Sequence, residues 1–164
     1  MIREAITFDD VLLSPQYSEV MSRKTIDMSS ELSDGIKLEL PIISAPMDTV
    51  TELTMARALD EAGAMGVVHR YNSPYVQALS VRDIKGNVAA AIGVSGEYLD
   101  RAKTLVDNGC KVLCIDVAHG HHALVRHAIK VLRNTFGTKI HIMAGNVATL
   151  EGFNDLSDWG ADSI

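Results

Sequence analysis

The stretch VLCIDVAHGHH (112–122) decides how the rest of the chain is read. Val112 to Ile115 form a short apolar run without alternation, the mark of a parallel strand covered on both faces. The sequence then turns polar, with Asp116, Gly120 and three histidines. An ionised carboxylate that continues such a strand is costly to bury without a partner, so Asp116 requires either a structural donor or a ligand hydroxyl.

The same unit recurs along the chain. Gly63, Gly86, Gly109, Gly137 and Gly160 follow one another at intervals of 23, 23, 28 and 23 residues, about one helix, one strand and two loops. Each follows a helix-like stretch and suits the left-handed position that ends a helix. The apolar runs are LPIISAPM (40–47), GVVH (66–69), VAAAIGV (88–94), KVLCIDV (111–117) and KIHIMAG (139–145). Between them, helical stripes are expected at Met55, Ala58, Leu59 and Ala62, at Tyr98, Ala102, Leu105 and Val106, and at Leu124, Ala128, Val131 and Leu132. Thr49 and Glu52 have capping-box spacing. DSI (162–164) reads as the opening of a sixth strand. Such a βα array builds either an open doubly wound sheet or a closed (β/α)8 barrel, and periodicity does not choose between them. A whole barrel typically needs about 250 residues, so as a barrel these 164 residues amount to its first part.

Ligands of parallel α/β folds bind beyond the carboxyl ends of the strands. Those ends offer Ser44, Met47 and Asp48, then His69 and Arg70, then Gly93, then Asp116 and His119, and finally Gly145 and Asn146. Asp48 reads equally as a helix N-cap or turn acid. Cys114 shares the strand parity of Asp116, one layer deeper, and reads as a buried thiol. His119 and His121 form a His-x-His pair, but no second cluster with ligand spacing accompanies them, and no metal site is assigned. Neither a Gly-x-Gly-x-x-Gly nor a Walker pattern is present, which disfavours a Rossmann dinucleotide site.

Composition narrows the classes further. Fifteen basic and twenty-one acidic residues give a net charge of −6 without a Lys/Arg cluster, so a small molecule is the expected partner and nucleic acid is not. No stretch matches a membrane span, and MIREAITFDD (1–10) lacks the basic-then-apolar pattern of a signal peptide; a cytoplasmic location is expected. Two cysteines, Cys110 and Cys114, are too few for a disulfide framework.

Taken in order, TFDDVLLSPQYSEV (7–20), PIISAPMDTVTE (41–52), GVVHRYNS (66–73), AAIGV (90–94), CIDVAHGHH (114–122) and AGNVAT (144–149) closely resemble the IMP dehydrogenase / GMP reductase family. The resemblance covers nearly the whole chain. It implies a (β/α)8 TIM barrel, of which residues 1–164 would be one partial domain: about the first five βα units plus the start of the sixth strand. It also implies homotetramers, and chemistry at C2 of a purine nucleotide through a cysteine adduct with hydride exchange to a nicotinamide cofactor. Residue by residue, Asp116 matches the acid that bonds the nicotinamide ribose. Asn146 matches the asparagine beside nucleotide and nicotinamide, and Met47 the methionine against the purine base. Ser44 and Gly93 lie in the same motifs, the first toward substrate and the second toward cofactor.

Two departures from the family pattern matter. Only SPYVQALSVRDIKGN (73–87) stands where most IMP dehydrogenases insert a pair of CBS domains. AHGHH resembles the dehydrogenases more than the reductases, which favours NAD-dependent oxidation of IMP to XMP. The alternatives are NADPH-dependent conversion of GMP to IMP, or a non-catalytic fragment that binds nucleotide or oligomerises. The family's glycine-rich loop, with its catalytic cysteine and monovalent-cation site, would follow Ile164. No catalytic residue is therefore expected within the chain, and a complementing downstream half is a possible partner.

Overall fold

A five-stranded parallel sheet carries the computed structural model, which describes residues 6–33 and 35–164. The first five residues of the MIREAITFDD segment lie outside the described residues. Two 3-10 turns, Phe8–Asp10 and Arg23–Thr25, interrupt an extended N-terminal stretch. An antiparallel hairpin follows, β1 (Ser30–Ser33) paired with β2 (Ile36–Leu38). The sheet then runs β3 (Ile43–Ser44), β4 (Met65–Val68), β5 (Val88–Ile92), β6 (Val112–Asp116) and β7 (His141–Gly145). Between its strands lie α1 (Leu53–Glu61), α2 (Pro74–Arg82), α3 (Tyr98–Asp107) and α4 (Ala123–Phe136), with α5 (Leu150–Trp159) after β7.

Strand order settles the choice that periodicity leaves open. The strands neighbour one another in chain order, β3-β4-β5-β6-β7, all parallel, without the order reversal of a doubly wound sheet. A parallel bridge from Ser163 to Met143 places a sixth strand beside β7, as DSI (162–164) suggests. The architecture is part of a (β/α)8 barrel.

Both faces of the sheet are buried, by different material. Outward residues Val68, Ala90, Ile92, Leu113, Ile115, Ile142 and Ala144 pack with the helices, on Ala56, Ala78, Leu105, Ile129 and Leu132 among others. Inward residues Met65, Val67, Ala89, Ala91, Val112 and Cys114 pack under Ile36 and Leu38 of the hairpin. The hairpin closes one end of the inner layer and leaves the carboxyl ends of the strands open.

Polar pins hold this frame together. Arg133 on α4 donates from Nε to the Gly160 carbonyl at 2.8 Å and from Nη1 to that of Ile140 at 2.8 Å, and pairs with Asp162. Asp162 in turn accepts from the Ile142 backbone N–H at 2.7 Å. The buried His141 ring lies between Ser33 Oγ at 2.8 Å and Ser163 Oγ at 2.7 Å, joining hairpin, β7 and sixth strand.

Several local expectations are corrected. Helix α1 begins at Leu53 with Glu52 as N-cap and no side-chain cap bond, so the Thr49 capping box does not form. Thr49 and Asp48 belong to the preceding turn, so of the two local readings of Asp48 the turn acid holds and the helix cap does not. The face of α1 that packs on the sheet carries Leu53 and Ala56, whereas Met55, Ala58 and Ala62 are exposed. On α4 the buried stripe is Val125, Ala128, Ile129 and Leu132, and Leu124 is exposed. Both helices carry apolar residues on more than one face, and the sheet, not local spacing, selects the buried one. The α3 stripe is as expected, with Ala102 and Leu105 buried and Tyr98 and Val106 packed beside them.

Four of the five spaced glycines have positive φ, but Gly86 does not. Its constraint is close approach: its N–H and that of Asn87 donate to the Asp60 carboxylate at 3.2 and 2.7 Å, and a Cβ there would run into that carboxylate. Gly86→Ala is therefore expected to cost about 1–3 kcal/mol through displacement of Asp60. Urea denaturation checks this, and an unchanged midpoint would contradict it. Burial holds the His141 imidazole below its ordinary pKa, with Arg133 acting in the same direction and Asp162 against it. Because the folded state binds the proton less readily, this contribution is complete above the unfolded value of about 6.5 and declines as pH falls below it. His141→Gln should flatten the dependence of the melting temperature on pH between about 7 and 5.

Candidate functional site

The open carboxyl ends of the strands form two adjoining clefts. One of about 630 Å³ is lined by Met47, Asp48, Arg70, Tyr71, Asp116 and Asn146, with the Pro46 and Val117 segments completing its walls. The other, about 440 Å³, reaches into the barrel interior past Ser44, Val67, Cys114, Met143 and Asn146. Asp116 and Asn146 line both, so the clefts meet at the ends of β6 and β7.

Register explains why these two residues converge. Asp116 pairs with Gly145 across the ladder, which puts Asn146 one residue beyond. The loops then zip together: Val117 N–H donates to the Gly145 carbonyl at 3.1 Å, Asn146 N–H to that of Val117 at 2.7 Å, and Gly120 N–H to that of Asn146 at 2.6 Å. A Cβ at Gly120 would sit 2.8 Å from the Asn146 carbonyl oxygen, so the glycine in AHGHH allows this contact. The Asp116 carboxylate has no hydrogen-bond or ion-pair partner among the described residues, although it faces both clefts. A half-buried acid without a structural donor is suited to accept ligand hydroxyls.

The loop after β3 is fixed from behind. Thr51, fully buried, places its hydroxyl 2.7 Å from both Ser44 Oγ and the Ala45 carbonyl oxygen. Ser44 and Met47 are thereby held on the wall opposite Asp116, with Met47 partly exposed on the larger cleft. His69 is buried at the end of β4; its Nδ1 accepts from Tyr71 N–H at 3.1 Å, which leaves Nε2 to donate to Glu52 at 3.3 Å. Gly93 is separate from the group formed by Ser44, Met47, Asp116 and Asn146: it lines a third groove with Arg70 between.

Two of the three histidines serve the scaffold. His121 Nε2 lies 2.8 Å from Asp155 on α5, and His122 Nδ1 caps α4 by accepting from Leu124 N–H. His119 is exposed beside the His122 ring. No group of three potential metal ligands occurs among the described residues. Burial pushes both thiols up to about 12, aided at Cys114 by the nearby Asp116, so neither is a ready nucleophile at neutral pH. Arg70, one of the strand-end groups, is given no role by the sequence, and Thr51 is not singled out by it. A signal for Arg70 exists in the sequence: it ends an apolar strand with no acidic residue between Gly66 and Pro74.

Comparison with known proteins bears on the family and the fold. Residues 5–164 match the model of the IMP dehydrogenase / GMP reductase domain. An inosine-5'-monophosphate dehydrogenase from Rhizobium tropici is 50% identical over 98% of this chain and 58% of its own length. One from Cryptosporidium parvum is 31% identical over 99% of this chain and 51% of its own length. The alignment with the Rhizobium tropici protein runs over 291 residues, far beyond the 164 present here, so that relative carries an interior segment this chain lacks. The solved inosine 5' monophosphate dehydrogenase of Legionella pneumophila superposes with a TM-score of 0.88 at 42% identity, covering 96% of this chain and 49% of that one. The chain spans about half the length of these relatives, and it belongs to the IMP dehydrogenase / GMP reductase family.

Proposed function

We propose that the protein takes part in NAD-dependent oxidation of IMP to XMP at C2, with this chain supplying the ribose-binding half of the cofactor site and one wall of the nucleotide site. The observation that carries this reading is the Asp116 carboxylate, unpartnered among the described residues at the junction of two clefts. A nicotinamide cofactor fits that position, because a carboxylate accepts two vicinal ribose hydroxyls with both oxygens. When bound, the cofactor supplies hydride acceptance.

The chain's own residues orient the reactants. Asp116 holds the ribose at the mouth of the barrel, and Asn146, locked to it through the zipped loops, offers its amide between nucleotide and nicotinamide. Met47 presents an apolar surface to the purine base, and Ser44, positioned by Thr51, contributes a hydroxyl lower in the cleft. Gly93 leaves backbone accessible along the cofactor's path. No catalytic residue is assigned here, since Cys110 and Cys114 are buried with strongly raised pKa values. The reaction is proposed for the assembled protein, either as the homotetramer that the family resemblance suggests or with a complementing polypeptide. AHGHH favours the dehydrogenase over the reductase direction.

Calorimetric titration with NAD tests the central assignment. Asp116→Asn keeps the shape but replaces an oxygen acceptor with a donor, and should weaken NAD at least about tenfold, the consequence of losing a charge-assisted pair of hydrogen bonds. IMP affinity should change far less. Unaltered NAD affinity in a folded variant would overturn the ribose assignment.

A further inference from the structure

Beyond Asp116, a groove of about 280 Å³ opens between the ends of β4 and β5, lined by Arg70, Gly93, Ser95, Glu97, Tyr98 and Arg101. It joins the larger cleft at Arg70 and Val117, which line both. One of its two cationic groups, Arg101, is anchored from below. Gln77 on α2 is fully buried and donates from Nε2 to the carbonyls of Val68 and Ala91 at 3.0 and 2.8 Å, bridging β4 and β5. Its Oε1 accepts from Arg101 Nη1 at 2.8 Å, and Arg101 Nη2 donates to the Asn72 carbonyl at 2.9 Å.

Arg70 is differently placed. Its guanidinium lies 5.5 Å from the Tyr71 ring centroid, and Nη2 only grazes the Asp116 carbonyl at 3.5 Å. Its Nε is buried without a hydrogen-bond partner among the described residues, and no carboxylate there pairs with it. Burial, and then the charge of Arg70 itself, hold Arg101 below its ordinary pKa, so the two cations are close enough to repel. A Cβ at Gly93 would rest 3.5 Å from Arg70 Nη1, and a larger side chain would cover that donor edge. A guanidinium with no carboxylate partner among the described residues, its Nη1 edge left open by Gly93 and a second fixed cation nearby, suits an oxyanion.

We propose that Arg70, with Arg101 behind it, forms an oxyanion site in the β4–β5 groove that takes a phosphate group of the dinucleotide whose ribose Asp116 accepts. The ligand's identity rests on the Asp116 reading; the anion site itself does not.

Inorganic pyrophosphate titrated into the purified protein is the direct probe. Arg70→Gln should weaken pyrophosphate about tenfold or more, while Arg70→Lys, a point charge without the fork, should lose less. Asp116→Asn, which removes a negative charge near Arg70, should not weaken pyrophosphate binding. Wild-type protein should also prefer ADP-ribose to adenosine, and Arg70→Gln should abolish that preference. Absent pyrophosphate binding, or equal affinity in wild-type and Arg70→Gln protein, overturns the proposal. Should Arg70→Gln lose its cooperative melting transition, Arg70→Lys decides, and wild-type affinity in that variant overturns it. Loss of pyrophosphate binding in Arg70→Gln alongside full NAD affinity in Asp116→Asn would remove the ribose assignment and keep the anion site.

Discussion

A parallel sheet buried on both faces leaves its polar chemistry only one place to go. Helices cover the outward side chains of β4 to β7, and the hairpin closes the inner layer from one end. Backbone groups within the strands are spent on the ladder, so unpaired polar side chains can stand only beyond the open carboxyl ends. Arg70, Asp116 and Asn146 all lie at those ends. The zipped loops after β6 and β7 convert that general rule into a specific arrangement. Three backbone hydrogen bonds fix the Asp116 loop to the Asn146 loop, and Gly120 is the residue that admits the closest of them.

Much of this was legible in the sequence because it is local. Spaced glycines and short apolar runs locate five strands, and Asp116 stands out as an acid continuing an apolar run. Features that failed to read are set by distant partners. The β1–β2 hairpin has only three or four residues per strand, and what holds it is the barrel interior and His141. Gly86 resembles the other spaced glycines, yet its role comes from Asp60, on another helix. The stripe on α1 was misjudged because the sheet selects Leu53 and Ala56 from a helix with apolar residues on two sides. Closed versus open sheet was likewise invisible to periodicity, since both have the same repeat and differ only in which strands become neighbours.

The site is similarly divided. Asp116, Asn146, Met47 and Ser44 were found by asking what lies at strand ends, and the fold brings them to adjoining clefts. Gly93 belongs one groove further on, where Arg70 separates it from Asp116. Two histidines of AHGHH, among the most conspicuous residues of the opening stretch, serve instead as the cap of α4 and as a tie from the loop before α4 to α5. Chemical conspicuousness in a sequence and a free functional group in a fold are different properties, and only hydrogen-bond partners separate them.

A crystal structure of the protein with NAD bound tests the central claim most directly. The account predicts the nicotinamide ribose at the end of β6, both its hydroxyls within about 3 Å of the Asp116 carboxylate. A cofactor bound away from the strand ends, or a ribose held by other groups while Asp116 faces water, would contradict it.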